Sequence, residues 1–274
     1  MAELIHTETL SEAWLDALEA LVAAGGKAVH LAVSFTSARE DADVRAAFDE
    51  FVAEWRAGKR KPVLYPASTV ANTLFPQALY RHGPGAEARE RLYRLHARTM
   101  RVQKRYSKKD SYFDRLVNWP GAEGEPVNQL ELLIDRMSKQ LARTGPLSSA
   151  YELALSHPTD GVGGEARVYT PGVDRRLMSF PCLSHISLTL VGGKLHLSAL
   201  YRNQDFIARA YGNYLGLARI GEFVAAETGC ELGEVLCLAT HADSGMGLSR
   251  QTATDLIKRC RSAGERQSRK LARV

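Results

Sequence analysis

The stretch FPCLSHISLTLVGGKLHLSALYRNQD, residues 180–205, decides the fold of this chain. Apolar and polar residues alternate from His185 to Val191 and again from Lys194 to Tyr201, which is the pattern of two strands. Only Gly192-Gly193 separates these segments, and two glycines supply the positive φ angles that a tight hairpin needs. We therefore predict an antiparallel β-hairpin, with Cys182 just before its first strand.

Outward from the hairpin, helical and strand-like patterns alternate along the chain. The predicted helices cover 11–22, 43–55, 69–80, 86–105, 128–141, 214–228 and 249–261. Ser11 is the expected N-cap of the first helix, and Gly25-Gly26 is expected to end it. Further strands are predicted at 27–35, 167–170 and 235–239, and the basic remainder after 261 is expected to be loose. Without a repeat or a clear linker, we predict one α+β domain over residues 1–274, with a basic tail at about 258–274.

The composition is typical of a globular protein with a substantial core, since 45% of the 274 residues are hydrophobic and 24% are charged. No apolar run is long enough to cross a bilayer, and the N-terminus lacks a basic n-region, so we expect a cytoplasmic protein without membrane contact. The net charge of +5 is concentrated in 89–109 and 258–274. Phosphorylated ligands, nucleic acid or solvated helix faces would each explain that excess.

The cysteines are best interpreted one at a time, because they form no C-x-x-C pair and no zinc-like cluster with histidine. They are Cys182, Cys230, Cys237 and Cys260. Neither a disulfide framework nor a metal site is predicted. Cys182 follows Pro181 at the mouth of the hairpin, where a thiol can be exposed enough to react; the ordinary alternative is a buried, inert cysteine.

Polar motifs follow the hairpin at the ends of predicted elements. They are Tyr201-Arg-Asn-Gln-Asp205, Gly212-Asn213 before a long apolar helix, and Thr240-His-Ala-Asp243 after a strand. This series resembles the thymidylate synthase family, which has P-C-H, a G-K-L hairpin, Q-R-S-x-D, an asparagine opening a helix, and T-H-x-Y. The residues in register are Pro181, Cys182, Gly193, Lys194, Leu195, Arg202, Asp205 and Asn213, with His241 after a slightly shorter connection.

A second match lies upstream, where Tyr112 to Pro120 resembles the family's Y-G-x-x-W-R-x-W-P. Trp14 to Gly25 resembles the family's first helix, and Val70 to Phe75 the helix that carries E-L-L-W. The resemblance covers most of the chain and is specific from Phe180 to Asn213. It implies a thymidylate-synthase-like fold, with a mixed β-sheet covered by helices and a homodimer formed through the sheet.

The resemblance also implies a site for a pyrimidine nucleotide of the uridylate type. Cys182 would add to C6 of the base, with Tyr112 and Asp205 as the other catalytic residues. Arg202 would bind the phosphate, joined by arginines of a partner subunit, for which Arg167, Arg175 and Arg176 are the candidates. Asn213 would read the edge of the base, Asn203 would contribute to nucleotide binding, and His241 and Asp243 would hold sugar hydroxyls.

Departures from the family's pattern bear on the reaction. Leu183 replaces the histidine after the cysteine, Asn72 a glutamate that organises proton transfer, and Asp243 a tyrosine. The segment that lines the folate pocket reads Ala208-Arg-Ala-Tyr-Gly212 here. The resemblance leaves 5,10-methylenetetrahydrofolate, the family's carbon donor, as a possible cofactor, although the changes fall mostly on the folate side. Hydroxymethylases of this superfamily finish the reaction with water instead of hydride, so the changes favour hydroxymethylation, or a related one-carbon transfer, over standard methylation.

Two alternatives remain beside that hydroxymethyltransferase- or methyltransferase-like interpretation. One is an enzyme that modifies a pyrimidine without folate through the same C6 adduct. The other is a non-catalytic nucleotide- or RNA-binding homologue, which the basic segments permit although no RNA-binding motif is evident. We favour an enzyme because a binding protein would need Arg202 and Asn213 but not the thiol of Cys182.

Overall fold

The computed structural model describes residues 3–81, 83–105, 111–120, 125–142, 165–167 and 181–271. The strands are β1 (Glu3–Thr9), β2 (Lys27–Ser37), β3 (Trp119–Pro120), β4 (Pro126–Val127), β5 (Glu165–Arg167), β6 (Leu183–Val191), β7 (Lys194–Tyr201), β8 (Gln204–Asp205) and β9 (Glu231–Asp243). The helices are α1 (Leu10–Ala23), α2 (Ala42–Ala57), α3 (Ala67–Leu74), α4 (Ala86–Gln103), α5 (Tyr112–Val117), α6 (Gln129–Leu141), α7 (Tyr211–Thr228) and α8 (Arg250–Leu271). A 3-10 turn covers Gln77–Leu79, and a π-helical turn, Phe206–Ala210, leads into α7.

The strands form a mixed sheet with the hydrogen-bonded order β1-β2-β9-β7-β6-β5, and β8 pairs with β9. The β1–β2 and β8–β9 pairs are parallel, whereas β5 and β6 are antiparallel. β3 and β4 form a separate antiparallel pair. The prediction of a mixed sheet with helices is confirmed at this level, while the sheet-mediated homodimer and the single domain stay predictions.

The described residues fall into two compact units. The first comprises the described residues within 1–71, 201–216 and 236–274. In it, α1 packs on β1 and β2, and α8 packs on α1 and α2. Its core holds an aromatic cluster in which Trp14 meets Phe48 and Tyr211 edge-on at 5.3 and 4.9 Å. The indole N–H of Trp14 also donates to the carbonyl of Phe206 at 3.0 Å, which ties α1 to the turn before α7.

The second unit comprises the described residues within 72–200 and 217–235. Phe75 lies at the centre of its core and packs against Phe113 and Phe223, with ring centroids 5.6 and 5.1 Å apart. A buried ion-pair network adds to this packing, because Glu227 accepts hydrogen bonds from Arg89 at 2.6 Å and from the Tyr80 hydroxyl at 2.7 Å. Arg89 also pairs with Glu131 on α6, so the network joins α4, α6 and α7.

The N-terminus of α1 corrects one prediction. Thr9, not Ser11, is the N-cap, and it forms a reciprocal capping box with Glu12. Ser11 lies inside the first turn, where its hydroxyl hydrogen-bonds to Tyr211 and accepts from the backbone N–H of Asp41. A serine close to a helix start can therefore serve tertiary packing instead of capping. The sequence also missed β1, which pairs in parallel with β2.

Several predicted boundaries were wrong. The helix expected over 69–80 ends at Leu74, because the residue before Pro76 disfavours helical backbone. The strand expected over 235–239 extends over Glu231–Asp243. The last helix continues to Leu271, so most of the tail that was expected to be loose is helical.

The hairpin prediction is confirmed. β6 and β7 are joined by Gly192 and Gly193, whose φ angles of 59° and 80° lie in the left-handed region that both central residues of a type I′ turn adopt. The helix predicted over 128–141 is confirmed as well, and the side chain of Asn128 caps it by accepting from the N–H of Glu131. The strand expected at 167–170 is described only as far as Arg167.

Candidate functional site

The first unit brings together two segments that the sequence separates widely. Thr240, near the end of β9, donates its hydroxyl to the carbonyl of Arg202 at 2.7 Å. One residue further along each segment, Nδ1 of His241 lies 2.7 Å from Oδ1 of Asn203. Three of the predicted nucleotide-binding residues, Arg202, Asn203 and His241, are therefore neighbours, and all three are partly buried.

The carboxylate of Asp205 shapes the turn that follows β9. Its Oδ1 accepts from the N–H of Ala208 at 2.8 Å and caps the π-helical turn, while its Oδ2 accepts from the N–H of Met246 at 3.0 Å. Asp205 is only 7% exposed, and burial raises its pKa, with the charge of Asp243 adding to this and the two N–H donors opposing it. Both oxygens of Asp205 thus accept hydrogen bonds from backbone N–H groups, so this carboxylate stabilises the local backbone conformation.

Asp243 is the partner of Asp205 in the parallel pairing of β8 with β9. It is 8% exposed; its Oδ1 accepts from the N–H of Gly245 at 2.9 Å, and its Oδ2 lies 3.8 Å from Nζ of Lys27. The predicted sugar contact of this carboxylate remains a prediction, since one of its oxygens already stabilises the turn at Gly245.

Asn213 lies in the first turn of α7 and is 4% exposed. Its position depends on the preceding glycine, because a Cβ on Gly212 would come within 2.5 Å of the Val70 Cβ and 2.6 Å of the Ala67 carbonyl oxygen on α3. Gly212 therefore permits the close approach of α7 to α3 that sets the position of Asn213. The sequence contains the signal for this contact in the Gly-Asn pair that opens the helix, although its packing role was not predicted.

The second unit holds the candidate nucleophile. Cys182, just before β6, is partly exposed, and its backbone N–H donates to the hydroxyl of Tyr112 at 3.3 Å. These two predicted catalytic residues are thus in contact. Cys230, a second partly exposed cysteine, has its Sγ 3.9 Å from the carbonyl oxygen of Thr228.

The position of Tyr112 is set by α5, the helix that it begins. Ser111 caps this helix, and Phe113 is fully buried against Phe75 and the ring of His96. Oδ1 of Asp114 lies 3.4 Å from Nε2 of His96. Burial works to raise the pKa of Asp114, but the nearby His96 ring, a hydrogen bond from Asn118 and the charge of Lys104 lower it overall, so the carboxylate stays ionised and ties α5 to α4.

The remaining cysteines are unsuited to nucleophilic chemistry. Burial raises the pKa of Cys237 to about 12, against an opposing hydrogen bond to Gln204, and raises the pKa of Cys260 to about 12. Both thiols are therefore protonated at neutral pH, and a protonated thiol is a poor nucleophile.

The predicted phosphate arginines of a partner subunit are described only in part. Arg167 ends β5, where its backbone is opposite His185 of β6. Arg175 and Arg176 lie outside the described residues. Their predicted role stays a prediction.

Comparison with known proteins supports the resemblance seen in the motifs. No protein-family model matches the chain. A protein of Methanosarcina acetivorans named "Putative thymidylate synthase" is 27% identical over 132 residues, which are 48% of this chain and 51% of that protein. A protein of the same name from Methanocaldococcus jannaschii is 24% identical over 153 residues, 54% of this chain and 59% of its own length. A third, from Methanosarcina barkeri, is 26% identical over 132 residues, 48% of this chain and 51% of its own.

Over about half of its length this chain is therefore similar to archaeal proteins named putative thymidylate synthase. It spans about half the length of the curated relatives it matches. Within the described residues, no helix is long and apolar enough to cross a membrane. In the same part of the chain, no three or more His, Cys, Asp or Glu side chains are grouped to hold a metal ion.

The segment that matches the family's folate-lining residues is used largely in the packing of its own unit. Tyr211 is fully buried, stacked on Phe48 at 5.3 Å and hydrogen-bonded to Ser11. Ala210 is also buried, and Arg209 places its guanidinium over the ring of Tyr65 at 5.4 Å. Because the aromatic and apolar members of this segment pack into the core of their own unit, we assign no reaction step to a folate.

Two residues of the site were not predicted. Met246 contributes its backbone N–H to Asp205, and its Sδ lies 3.9 Å from Nδ2 of Asn203. Thr240 holds the Arg202 segment against β9. The Thr-His pair carried a signal for Thr240, whereas nothing in the sequence around Met246 distinguishes it from an ordinary surface methionine.

Proposed function

We propose that this chain binds a pyrimidine nucleotide and modifies C5 of its base, with Cys182 forming a transient covalent bond to C6. The observation that carries the proposal is the contact between the Cys182 backbone and the Tyr112 hydroxyl. It places a phenol, a group that can hold or pass on a proton, beside the only cysteine that the family motifs select. The chain would then be a transferase of one-carbon groups.

Accessibility supports the choice of thiol. Cys237 and Cys260 are buried, with their pKa values raised to about 12, whereas Cys182 is partly exposed. Cys230 is also partly exposed, but its surroundings include no counterpart of Tyr112 among the contacts described for it. Cys182 therefore combines access with a neighbouring proton-handling group.

The chemistry follows from the electronic structure of uracil. Addition of the Cys182 thiolate to C6 forms a carbon–sulfur bond and moves the C5–C6 π electrons toward C5, which becomes nucleophilic. C5 then attacks the carbon of formaldehyde or an equivalent aldehyde; the C=O π bond breaks, and the resulting alkoxide takes up a proton from solvent to become the hydroxyl. Loss of the C5 proton, for which Tyr112 is the positioned group, and expulsion of the thiolate restore the C5–C6 double bond and leave a hydroxymethyl substituent.

The residue at position 72 favours this outcome over standard methylation. Where the family has a glutamate, Asn72 accepts a hydrogen bond from Arg219 at 3.2 Å. A neutral carboxamide cannot act as a general base, so the proton transfer that the family assigns to that carboxylate has to be absent or carried by another group. Hydroxymethylation also needs no hydride donor, whereas standard methylation does.

We also propose a homodimer with shared sites. Along β9, buried Val235, Cys237 and Ala239 alternate with partly exposed Leu236 and Leu238. A strand with leucines on its second face is suited to cover by another copy of the sheet. Sedimentation equilibrium showing only monomer at micromolar concentration would contradict this part.

The nucleic-acid alternative is weakened by how the basic residues are used. Arg259 forms a bidentate pair with Glu54, with distances of 2.7 and 2.9 Å. Arg261 pairs with Glu19 at 2.7 Å, and Arg89 binds two carboxylates of its own unit. Part of the positive charge in the basic segments is therefore neutralised within the chain, and it is less available to phosphates.

The proposal is tested by trapping the adduct. Fluorine at C5 cannot leave as a proton does, so a 5-fluoropyrimidine nucleotide should remain attached to Cys182. Intact-mass spectrometry of the purified chain with 5-fluorouridine and 5-fluorodeoxyuridine monophosphates, with and without formaldehyde, should show a mass increase equal to one nucleotide, or one nucleotide plus the one-carbon unit.

The matched control is the other partly exposed cysteine. Cys182→Ala should abolish the adduct, whereas Cys230→Ala should retain it, and Tyr112→Phe should slow its formation or its turnover. If folded wild-type protein forms no adduct with uridine or cytidine 5-fluoro nucleotides, the covalent mechanism is wrong. An adduct that survives Cys182→Ala would assign the nucleophile elsewhere.

A further inference from the structure

Four residues of the first unit form a chain of contacts that we call the His241 clasp: Asn203, Asp205, His241 and Met246. Nδ1 of His241 lies 2.7 Å from Oδ1 of Asn203. Nδ2 of the same amide lies 3.9 Å from Sδ of Met246. The backbone N–H of Met246 donates to Asp205 at 3.0 Å, so the methionine itself is held in place.

These contacts determine the orientation of the Asn203 amide. A thioether sulfur can only accept a hydrogen bond, so the NH₂ group of the amide belongs on the Met246 side. The carbonyl oxygen then faces the imidazole, and this oxygen can only accept. In the opposite orientation, two acceptors, Oδ1 and Sδ, would face each other.

The amide orientation in turn decides the protonation of the ring. Because Oδ1 of Asn203 only accepts, Nδ1 of His241 has to carry the proton that it donates. In the neutral imidazole the lone pair is then on Nε2. Free histidine in water prefers the opposite tautomer, so the clasp holds the ring in the less common form.

We infer that Asn203 is a positioning residue that acts through His241: it holds the neutral imidazole in the Nδ1–H form, so that Nε2 accepts a hydrogen bond from a hydroxyl of the ligand. An Nε2 lone pair attracts an O–H donor and repels the oxygens of a phosphate. The clasp therefore selects an uncharged, hydroxyl-bearing part of a ligand beside Arg202, whose charge suits the phosphate. This assignment rests on the proposed function for the identity of the ligand as a nucleotide, but the tautomer does not.

The first experiment reads the tautomer without any ligand. Protein labelled with ¹⁵N in its histidines is studied by two- and three-bond ¹H–¹⁵N correlation at about pH 8.5, where an ordinary imidazole is neutral. His241→Gln assigns the signal. The expected result is a protonated Nδ1 and an unprotonated Nε2 in the wild type, a change to the Nε2–H form in Asn203→Ala, and retention of a protonated Nδ1 in Asn203→Asp.

A wild-type His241 with a protonated Nε2 and a bare Nδ1 would overturn the inference, and so would an unchanged tautomer in Asn203→Ala. Urea unfolding of each variant checks that the fold is kept. The Asn203→Asp variant keeps the test decisive if Asn203→Ala unfolds, since an acceptor at the same place should preserve the wild-type pattern.

The second experiment measures what the lone pair recognises. Wild type should bind uridine 5′-monophosphate about fivefold more tightly than its 2′,3′-dideoxy analogue, the loss expected for one hydrogen bond, and Asn203→Ala should bind the two equally. Equal discrimination by wild type and variant would overturn the role of Asn203 in ligand selection. If the wild type shows the expected tautomer but binds neither nucleotide, the proposed function fails while the positioning of His241 by Asn203 stands.

Discussion

Replacing Gly212 with alanine tests the packing that positions Asn213. The new Cβ would lie 2.5 Å from the Val70 Cβ, 2.6 Å from the Ala67 carbonyl oxygen and 2.9 Å from Cγ1 of Val70. Carbon atoms in contact prefer about 3.5–4.0 Å, so the overlap is about 1 Å. Because neither a carbonyl oxygen nor a Cβ atom can rotate away from the new methyl group, α7 has to move away from α3.

The expected change in the free energy of unfolding is the difference of two opposing effects. Overpacking of this kind costs about 1–3 kcal/mol, and the rigid obstacles place Gly212→Ala near the upper end of that range. Alanine regains about 1 kcal/mol relative to glycine in a helix. The net expectation is a loss of about 2 kcal/mol in the free energy of unfolding, which corresponds to a decrease of about 4–8 °C in Tm for a chain of this size class.

The same helix provides the matched control. A Cβ on Gly221 would meet the Leu232 Cδ1 at 2.6 Å, but that atom is the end of a flexible side chain that can change rotamer. Gly221→Ala should therefore be neutral, or stabilising by up to about 1 kcal/mol. Both variants are measured by urea unfolding with circular dichroism, and the m value of each is compared with that of the wild type.

The two variants should thus differ by about 2–3 kcal/mol although they introduce the same methyl group. Gly212→Ala should in addition weaken nucleotide binding, because Asn213 moves with the start of α7. If Gly212→Ala is as stable as Gly221→Ala, the close approach of α3 and α7 does not exist in solution. The account of how Asn213 is positioned would then be refuted.

Two further predictions concern the ligand. Arg202→Ala should weaken the binding of uridine monophosphate by about 1.5–3 kcal/mol, because a charge-assisted contact is lost, and should leave the binding of uridine nearly unchanged. Both affinities are measured by calorimetry, with Arg209→Ala as the control. Equal losses for both ligands would show that Arg202 is structural. Asn213→Asp should shift the preference from uridine toward cytidine monophosphate, because a carboxylate only accepts hydrogen bonds and a mispaired base edge costs about 1–3 kcal/mol. An unchanged ratio of the two affinities would show that Asn213 does not contact the edge of the base.

Local features of the fold were largely predictable. The Gly192-Gly193 hairpin depends on two adjacent residues with positive φ, and the α6 cap on a side chain that bonds three residues ahead. The predictions were wrong where tertiary contacts compete with local preference. Ser11 has the chemistry of a cap, but Tyr211 and the backbone of Asp41 use its hydroxyl, and Thr9 caps the helix instead.

In the candidate site, too, residue types were predictable from the sequence, whereas contacts between distant residues were not. From the sequence alone came the residue types in register with a known family, and with them Cys182, Arg202, Asn213 and His241. The tertiary structure alone decided which of these residues touch. The Cys182–Tyr112 contact spans 70 residues, and the Asn203–His241 contact spans 38.

No local propensity encodes such contacts, because each depends on how separate strands and helices pack after the chain between them has folded. The sequence could name Asn203 as a polar residue beside Arg202, but only the parallel pairing of β8 with β9 brings its amide to the imidazole of His241. In the same way, the motif Gly212-Asn213 shows a glycine before a helix, while the reason for that glycine lies on α3, where Val70 and Ala67 leave no room for a side chain.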